Sequence, residues 1–274
     1  PHAAATSESP TSRAPTRFTR AFCILISPPV QMRAGLPEYS GDESLRVVLT
    51  CHKALRSFAV EAKAAVDLLE GLATPRSIRR YTDESVDLDD LRSILWHAGR
   101  APSGSNRQPF RFLVLRDGSA AREAKSVLGT AFRAGWAAKR ASDGYRASRF
   151  ADSMQRYVDR FERVPVVILV CLDRYRAPNA MEGASVYPAC QNLLLAARAH
   201  GYGGALTMWH LGVEAELRQL LAIPEHVGLS ACITLGVPEG HHGPLRRKPL
   251  REIVFDDHWG EPAAWAEGQD DLAD

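Results

Sequence analysis

The sequence predicts an α+β layered domain. Two almost wholly apolar runs, Val164 to Leu172 and Leu229 to Val237, have the length and composition of buried strands. Amphipathic segments of helical period surround them and alternate only irregularly with strands, which places the chain in the α+β class. No internal repeat appears in the 274 residues.

Each element has a local reason. The first forty residues, rich in Ala, Ser, Thr and Pro, show no sustained period and read as a disordered extension. Arg13, Arg17, Arg20 and Arg33, with only Glu8 before Glu38, fit a transit peptide weakly. Residues 1–65 hold eight Lys/Arg and five Asp/Glu and the remainder 26 and 27, so the charge balance also marks a boundary near 65. Val66, Leu69 and Leu72 then repeat at helical spacing, and Thr74-Pro75 stops that helix. Asp87 caps a second helix carrying Leu88, Leu91, Leu95 and Ala98 on one face, with Gly99 near its end. Phe110 to Leu115 is a strand bounded by Pro109 and Asp117-Gly118. Basic amphipathic helices follow over 119–140 and 149–162, then the apolar strand at 164–172. Gly183 to His200 reads as a long helix stopped by Gly201, followed by a short strand at 204–208, a helix at 213–222 ended before Pro224, and the last buried strand. The main domain spans 66–260, and 261–274 is a solvated tail with five acids and no base.

Composition excludes several classes. A net charge of +2 gives no general field for nucleic acid. No run approaches the length of a membrane span. The five cysteines are dispersed, with no CxxC pair for zinc or dithiol chemistry, which suits a reduced, cytoplasmic protein. There is no GxGxxG after a strand, no GxxxxGK[ST], no HExxH and no GxSxG. His97 and His210 read as packed or capping residues and His241-His242 as a solvated loop pair, so no metal site is expected.

Four polar segments remain. Arg76-Ser77-Ile78-Arg79-Arg80 offers guanidinium forks and a hydroxyl suited to an anion, or else a basic solvated turn. Pro102-Ser103-Gly104-Ser105-Asn106-Arg107-Gln108-Pro109 offers donors and acceptors to a polar planar ligand, or else a capping loop. Gly203-Gly204-Ala205-Leu206-Thr207-Met208 lets backbone approach a flat ring, or else a neighbouring strand. Arg246-Arg247-Lys248 is a second cationic cluster, or else a surface charge run.

In this order and spacing the segments resemble the nitroreductase family of flavoproteins. The resemblance rests on RSIRRYTDESV, APSGSNRQPFRFLVL, YPACQNLLLAARAHGYGGALTMWH and GVPEG with RRKPLREIV, and covers about 66–260. APSGSNRQPF is its most specific part. Pro75 stands where many members carry a base, and Phe110 where Trp is common. The resemblance implies a central mixed, mostly antiparallel sheet flanked by helices in an intertwined homodimer that binds FMN. Arg76, Ser77, Arg79, Arg246 and Lys248 would hold the phosphate. Pro102, Ser103, Gly104 and Asn106 would line the flavin from the other subunit. Leu206, Thr207 and Met208 would present backbone to its N5 and O4, with Lys248 or an arginine near N1 and O2. The implied reaction is ping-pong: NADH or NADPH reduces the flavin, then a flat nitroaromatic or quinone is reduced in the same slot. No acid–base side chain is needed. Trp136, Tyr145 and Phe150 read either as a lid over that slot or as part of a solvated helix pair. The alternatives are oxygen-dependent cleavage of reduced FMN to dimethylbenzimidazole and flavin binding without turnover.

Overall fold

The structure, a computed structural model, describes residues 66–142 and 144–267. The extension expected over 1–65 therefore lies outside the described residues. Four strands, β1 (Phe110–Leu115), β2 (Val166–Asp173), β3 (Gly203–Thr207) and β4 (Val227–Gly236), form one sheet in the order β1-β2-β4-β3. Every pairing is antiparallel, whereas a mixed sheet was expected. β2 runs opposite to both its neighbours and β3 opposite to β4, so no parallel pair arises among the described residues.

Pleating explains why the two apolar runs are apolar throughout. Val166, Ile168, Val170 and Leu172 of β2 join a core under α2 (Leu88–Ala98) and α5 (Tyr187–Ala199). Val167, Leu169 and Cys171 join the opposite core, under α3 (Ser119–Arg140) and α4 (Arg149–Asp159). The sheet is thus a middle layer, buried on both faces. Full burial of side chains such as Ile168 or Leu169 contributes about 1.5–3 kcal/mol each.

Helix boundaries follow their caps. The Asp87 side chain accepts the N–H groups of Asp89 and Asp90 at 2.8 and 3.0 Å, starting α2, and Gly99 follows its last residue. The first helix, α1 (Leu68–Ala73), is capped by Asp67. Its leucines do not face a core as the spacing suggested: Leu68, Leu69 and Leu72 are exposed. Gly71 is the buried position, beside Leu195 of α5, and Arg198 of α5 donates to Glu70 and Thr74. That polar clamp fixes the helix by another face. The long helix expected from Gly183 begins only at Tyr187. Pro188 lacks the N–H that would bond back to Ala184, so a separate 3₁₀ turn forms at Glu182–Ser185. The last helix, α6 (Glu214–Leu220), precedes β4. In the acidic tail, Phe255 bridges Pro262, and Ala263 and Ala266 are buried, so packing continues past 260 as far as Ala266. Cys171, Cys190 and Cys232 are buried free thiols.

Candidate functional site

Residues 76–82 lie against the β3 edge and the end of β4. Ile78 N–H donates to Gly204 O, Thr82 N–H to Val237 O and Glu239 N–H to Arg80 O, at 2.9, 2.9 and 3.0 Å. This approach explains Gly203, and the closeness of β4 and Leu194 explains Gly204. A Cβ on Gly203 would lie 2.5 Å from Ile78 Cγ1, and one on Gly204 2.8 Å from Thr234 O. The glycines serve strand packing, the second of the two roles read from their sequence. Beneath them, Tyr81 Oη lies 2.5 Å from Ile78 O and 2.8 Å from Thr234 Oγ1, and Tyr157 Oη lies 3.2 Å from the same threonine. Donation from Tyr157 to Thr234, to Tyr81, to Ile78 O satisfies all three hydroxyls. Burial pushes both phenols up, so both stay protonated. This buried chain holds the arginine segment to the sheet.

Held there, Arg76, Ser77 and Arg79 line a cavity of about 240 Å³ with Ser153, Gly240 and His241. Arg79 also lines a second cavity, of about 340 Å³, with Leu206, Thr207, Met208, Trp136 and Phe150. One guanidinium therefore lines both a cationic hollow and one walled by aromatic and aliphatic side chains, with Lys139 as its other cation. It lies 5.7 Å from the centre of the Phe150 ring. Trp136 is buried, stacks on Trp209 at 6.4 Å and meets Tyr145 edge-on; among the described residues its Nε1 has no hydrogen-bond partner. Trp136 is therefore a core wall of the cavity, and Phe150, which is exposed, is its outer edge. His210, next to this wall, is wholly buried and donates from Nε2 to Leu229 O at 3.2 Å, and burial lowers its pKa. It is the packed histidine the sequence suggested.

The other two polar segments lie elsewhere. Before β1, Gln108 N–H donates to Ser103 Oγ at 2.8 Å, and Gln108 Nε2 to Asn106 Oδ1 at 3.1 Å. Ser105, Asn106 and Gln108 all adopt positive φ, 52°, 52° and 50°. Three left-handed non-glycine residues together cost about 1–3 kcal/mol each, the kind of strain that collects at ligand clamps. Pro102, Ser103, Gly104 and Asn106 thus sit on an ordered, strained loop, and Gly104 N–H reaches Ser185 Oγ at 3.4 Å, near the start of α5. That is the wrong end for Arg76. The loop enters β1 where Phe110 faces Leu172, while the arginine segment meets the sheet at the far end of β2, where Val166 faces Leu235, and on the opposite edge. Six residues along a strand and three strand spacings put roughly 25 Å between them. One chain does not unite the two. Arg246 and Lys248 are exposed and line neither cavity; upstream of them, a Cβ on Gly243 would lie 4.0 Å from Arg76 Nη1.

The fold and site define a class: an α+β domain with an antiparallel sheet buried on both faces, an arginine-hydroxyl cluster beside one edge strand, and a strained polar loop at the opposite corner. Residues 72–237 match the Nitroreductase family, and the chain belongs to it. It is 32% identical over 181 residues to an Archaeoglobus fulgidus protein described as an NADH dehydrogenase/NAD(P)H nitroreductase, covering 63% of this chain and 86% of that one. It is 29% identical over 208 residues to a 4-nitrobenzoate reductase of Nocardioides sp., covering 65% and 83%. A Desulfovibrio desulfuricans protein described as a nitroreductase and solved in complex with FMN superposes with a TM-score of 0.53 at 30% identity, over 72% of this chain and 99% of that one.

Proposed function

We propose that the protein is an FMN-dependent oxidoreductase that uses NADH or NADPH to reduce a flat nitroaromatic or quinone, acting as a homodimer. The carrying observation is Arg79, which lines both the cationic cavity of Arg76 and Ser77 and the aromatic one of Thr207 and Met208. A molecule with a phosphate at one end and a flat ring system at the other fits that pair. FMN, when bound, supplies the two-electron chemistry, taking a hydride from the nicotinamide and passing it to the acceptor. Arg76 and Arg79 bind the phosphate with charge-assisted hydrogen bonds, and Ser77 adds a donor. The chain at Leu206, Thr207 and Met208 orients the ring, while Trp136, Phe150 and Met154 exclude water from its far side. Arg246 and Lys248 complete the cationic set only by movement of their exposed segment toward Arg76.

The dimer is supported by the separation within one chain. Pro102, Ser103, Gly104 and Asn106 reach a ring beside Thr207 only from a second copy. The three free, buried cysteines suit a reducing cytoplasm. The test is spectroscopic. The purified protein takes up FMN, NADH or NADPH bleaches it anaerobically, and menadione or a nitroaromatic restores the colour. Protein that takes up no FMN refutes the reading; FMN uptake without bleaching reduces it to flavin binding.

A further inference from the structure

A third cavity, of about 130 Å³, also has Arg79 in its wall and is lined by five arginines, Arg79, Arg80, Arg156, Arg160 and Arg163. Its two carboxylates are Asp83 and Glu239. Asp83 is already engaged, because Arg163 Nη2 donates to its two oxygens at 2.7 and 2.6 Å. Arg80 reaches only the backbone carbonyl of Glu239, at 3.4 Å. Arg156 and Arg160 make no ion pair among the described residues. The sequence of α4 puts them there: Met154, Tyr157 and Val158 are buried against the core, which leaves positions 156 and 160, four apart, side by side on the outer surface. Like charges at that spacing repel, and an anion between them relieves the repulsion.

The cleft borders both neighbours: it shares Arg79, Arg80 and Glu239 with the hollow of Arg76 and Ser77, and Arg79 and Tyr157 with the aromatic cavity, whereas Arg156 and Arg160 line neither of those. A nicotinamide in the aromatic cavity would carry its pyrophosphate one ribose away, and the adjoining cleft, across the shared Arg79 and Tyr157, offers two arginines without an ion pair among the described residues. Guanidinium forks match phosphate oxygens two at a time. We propose that Arg156 and Arg160, which of the three cavities line only this cleft, form an anion site that binds the phosphate groups of the reduced dinucleotide. This rests on the reductase reading above and adds to it the side of the molecule along which the reductant lies.

The experiment compares FMN-loaded wild type with the Arg156→Ala/Arg160→Ala double variant, and with Arg156→Gln/Arg160→Gln as a size-preserving pair. At saturating acceptor, KM for NADH and NADPH rises about tenfold, an effect of about 1.4 kcal/mol. Turnover with 1-benzyl-1,4-dihydronicotinamide, which carries no phosphate, is the same in all three proteins, as is bound FMN. A rise for both dinucleotides assigns the pyrophosphate to the cleft, and a rise for NADPH alone assigns the ribose 2′-phosphate. Unchanged KM overturns the proposal. So does loss of FMN from the variants, since the cleft would then belong to the cofactor. If wild type fails to turn over with any of the three reductants, the reductase reading fails by itself. Calorimetric titration of ADP-ribose and inorganic pyrophosphate into the same proteins then decides the cleft: binding by wild type that the variants lose sustains it, and equal heats overturn it.

Discussion

The roughly 25 Å between the arginine segment and the 102–109 loop makes a prediction about complementation. Two variants each break one half of the proposed site. Arg79→Glu replaces the guanidinium shared by the two cavities with a repelling carboxylate. Loss of that charge-assisted contact alone is worth about 1.5–3 kcal/mol, a tenfold to hundredfold weaker hold on FMN. Gly104→Trp is chosen because a Cβ there meets nothing within 4 Å, so the chain folds around it while the indole projects from the loop. Each homodimer should lose FMN. Co-expressed with different tags and purified as the mixed dimer, they make one site with both lesions and one with neither, because a two-fold interface takes the arginines from one copy and the loop from the other. The mixed dimer should bind about one FMN where wild type binds two, and turn over at about half the wild-type rate. The assay is flavin absorbance per dimer after two-tag purification. A mixed dimer with no FMN means both halves come from the same chain, and the reasoning from sheet topology is wrong.

Three further outcomes follow from the buried groups. Thr234→Val leaves the Tyr157 hydroxyl without its 3.2 Å partner and should cost about 1–3 kcal/mol, read as a lower urea midpoint at unchanged slope; an unmoved midpoint refutes the hydroxyl chain. Burial holds the folded pKa of His210 below its ordinary value near 6.5, so the unfolded chain binds more protons below that value. Its contribution to stability is complete above about 6.5 and lost as pH falls, so denaturation series at pH 7.5 and 5 should show wild type losing more than His210→Gln. Burial pushes Cys171 to about 11 and Cys190 and Cys232 to about 12, so these three thiols should ignore a thiol reagent at pH 8 until the protein unfolds.

Much of the fold was legible because its signals are local. Asp87 as a cap, Pro109 and Gly118 around β1, and the apolar run of β2 each act within a few residues. The misread elements are those in which a distant partner decides. Leu69 and Leu72 have helical spacing, yet Arg198, well over a hundred positions away, holds that helix by its polar side. Pro188 shortened α5 by a local rule that the apolar composition of 183–200 obscured. Lys125 lies in a basic stretch and looks solvated, but it is buried with Nζ donating to Val164 O and Pro165 O at 2.8 and 3.1 Å.

The site shows the same division. The sequence marked Arg76 to Arg80, the 102–109 loop and Leu206 to Met208 as chemically equipped, since residue types and turn geometry carry that information. Where they lie depends on strand order, and β1-β2-β4-β3 puts the first and third together while sending the second to the opposite corner. Gly203 and Gly204 separate motif from role most clearly. A flat ring and a neighbouring strand both require an absent Cβ, so the same two letters satisfy either demand. The register resolves it: Gly204 faces Leu235 in the ladder, and its carbonyl receives Ile78 N–H from the outside. At Gly203 the close approach is made by the arginine segment itself. Gly203 therefore acts at one remove, by letting the chain that carries Arg76 and Arg79 lie flat against the sheet, whereas Gly204 makes room for Thr234 O and Leu194. A side chain at Gly203 would meet Ile78 at 2.5 Å and displace the segment that carries Arg79 from the cavities it lines.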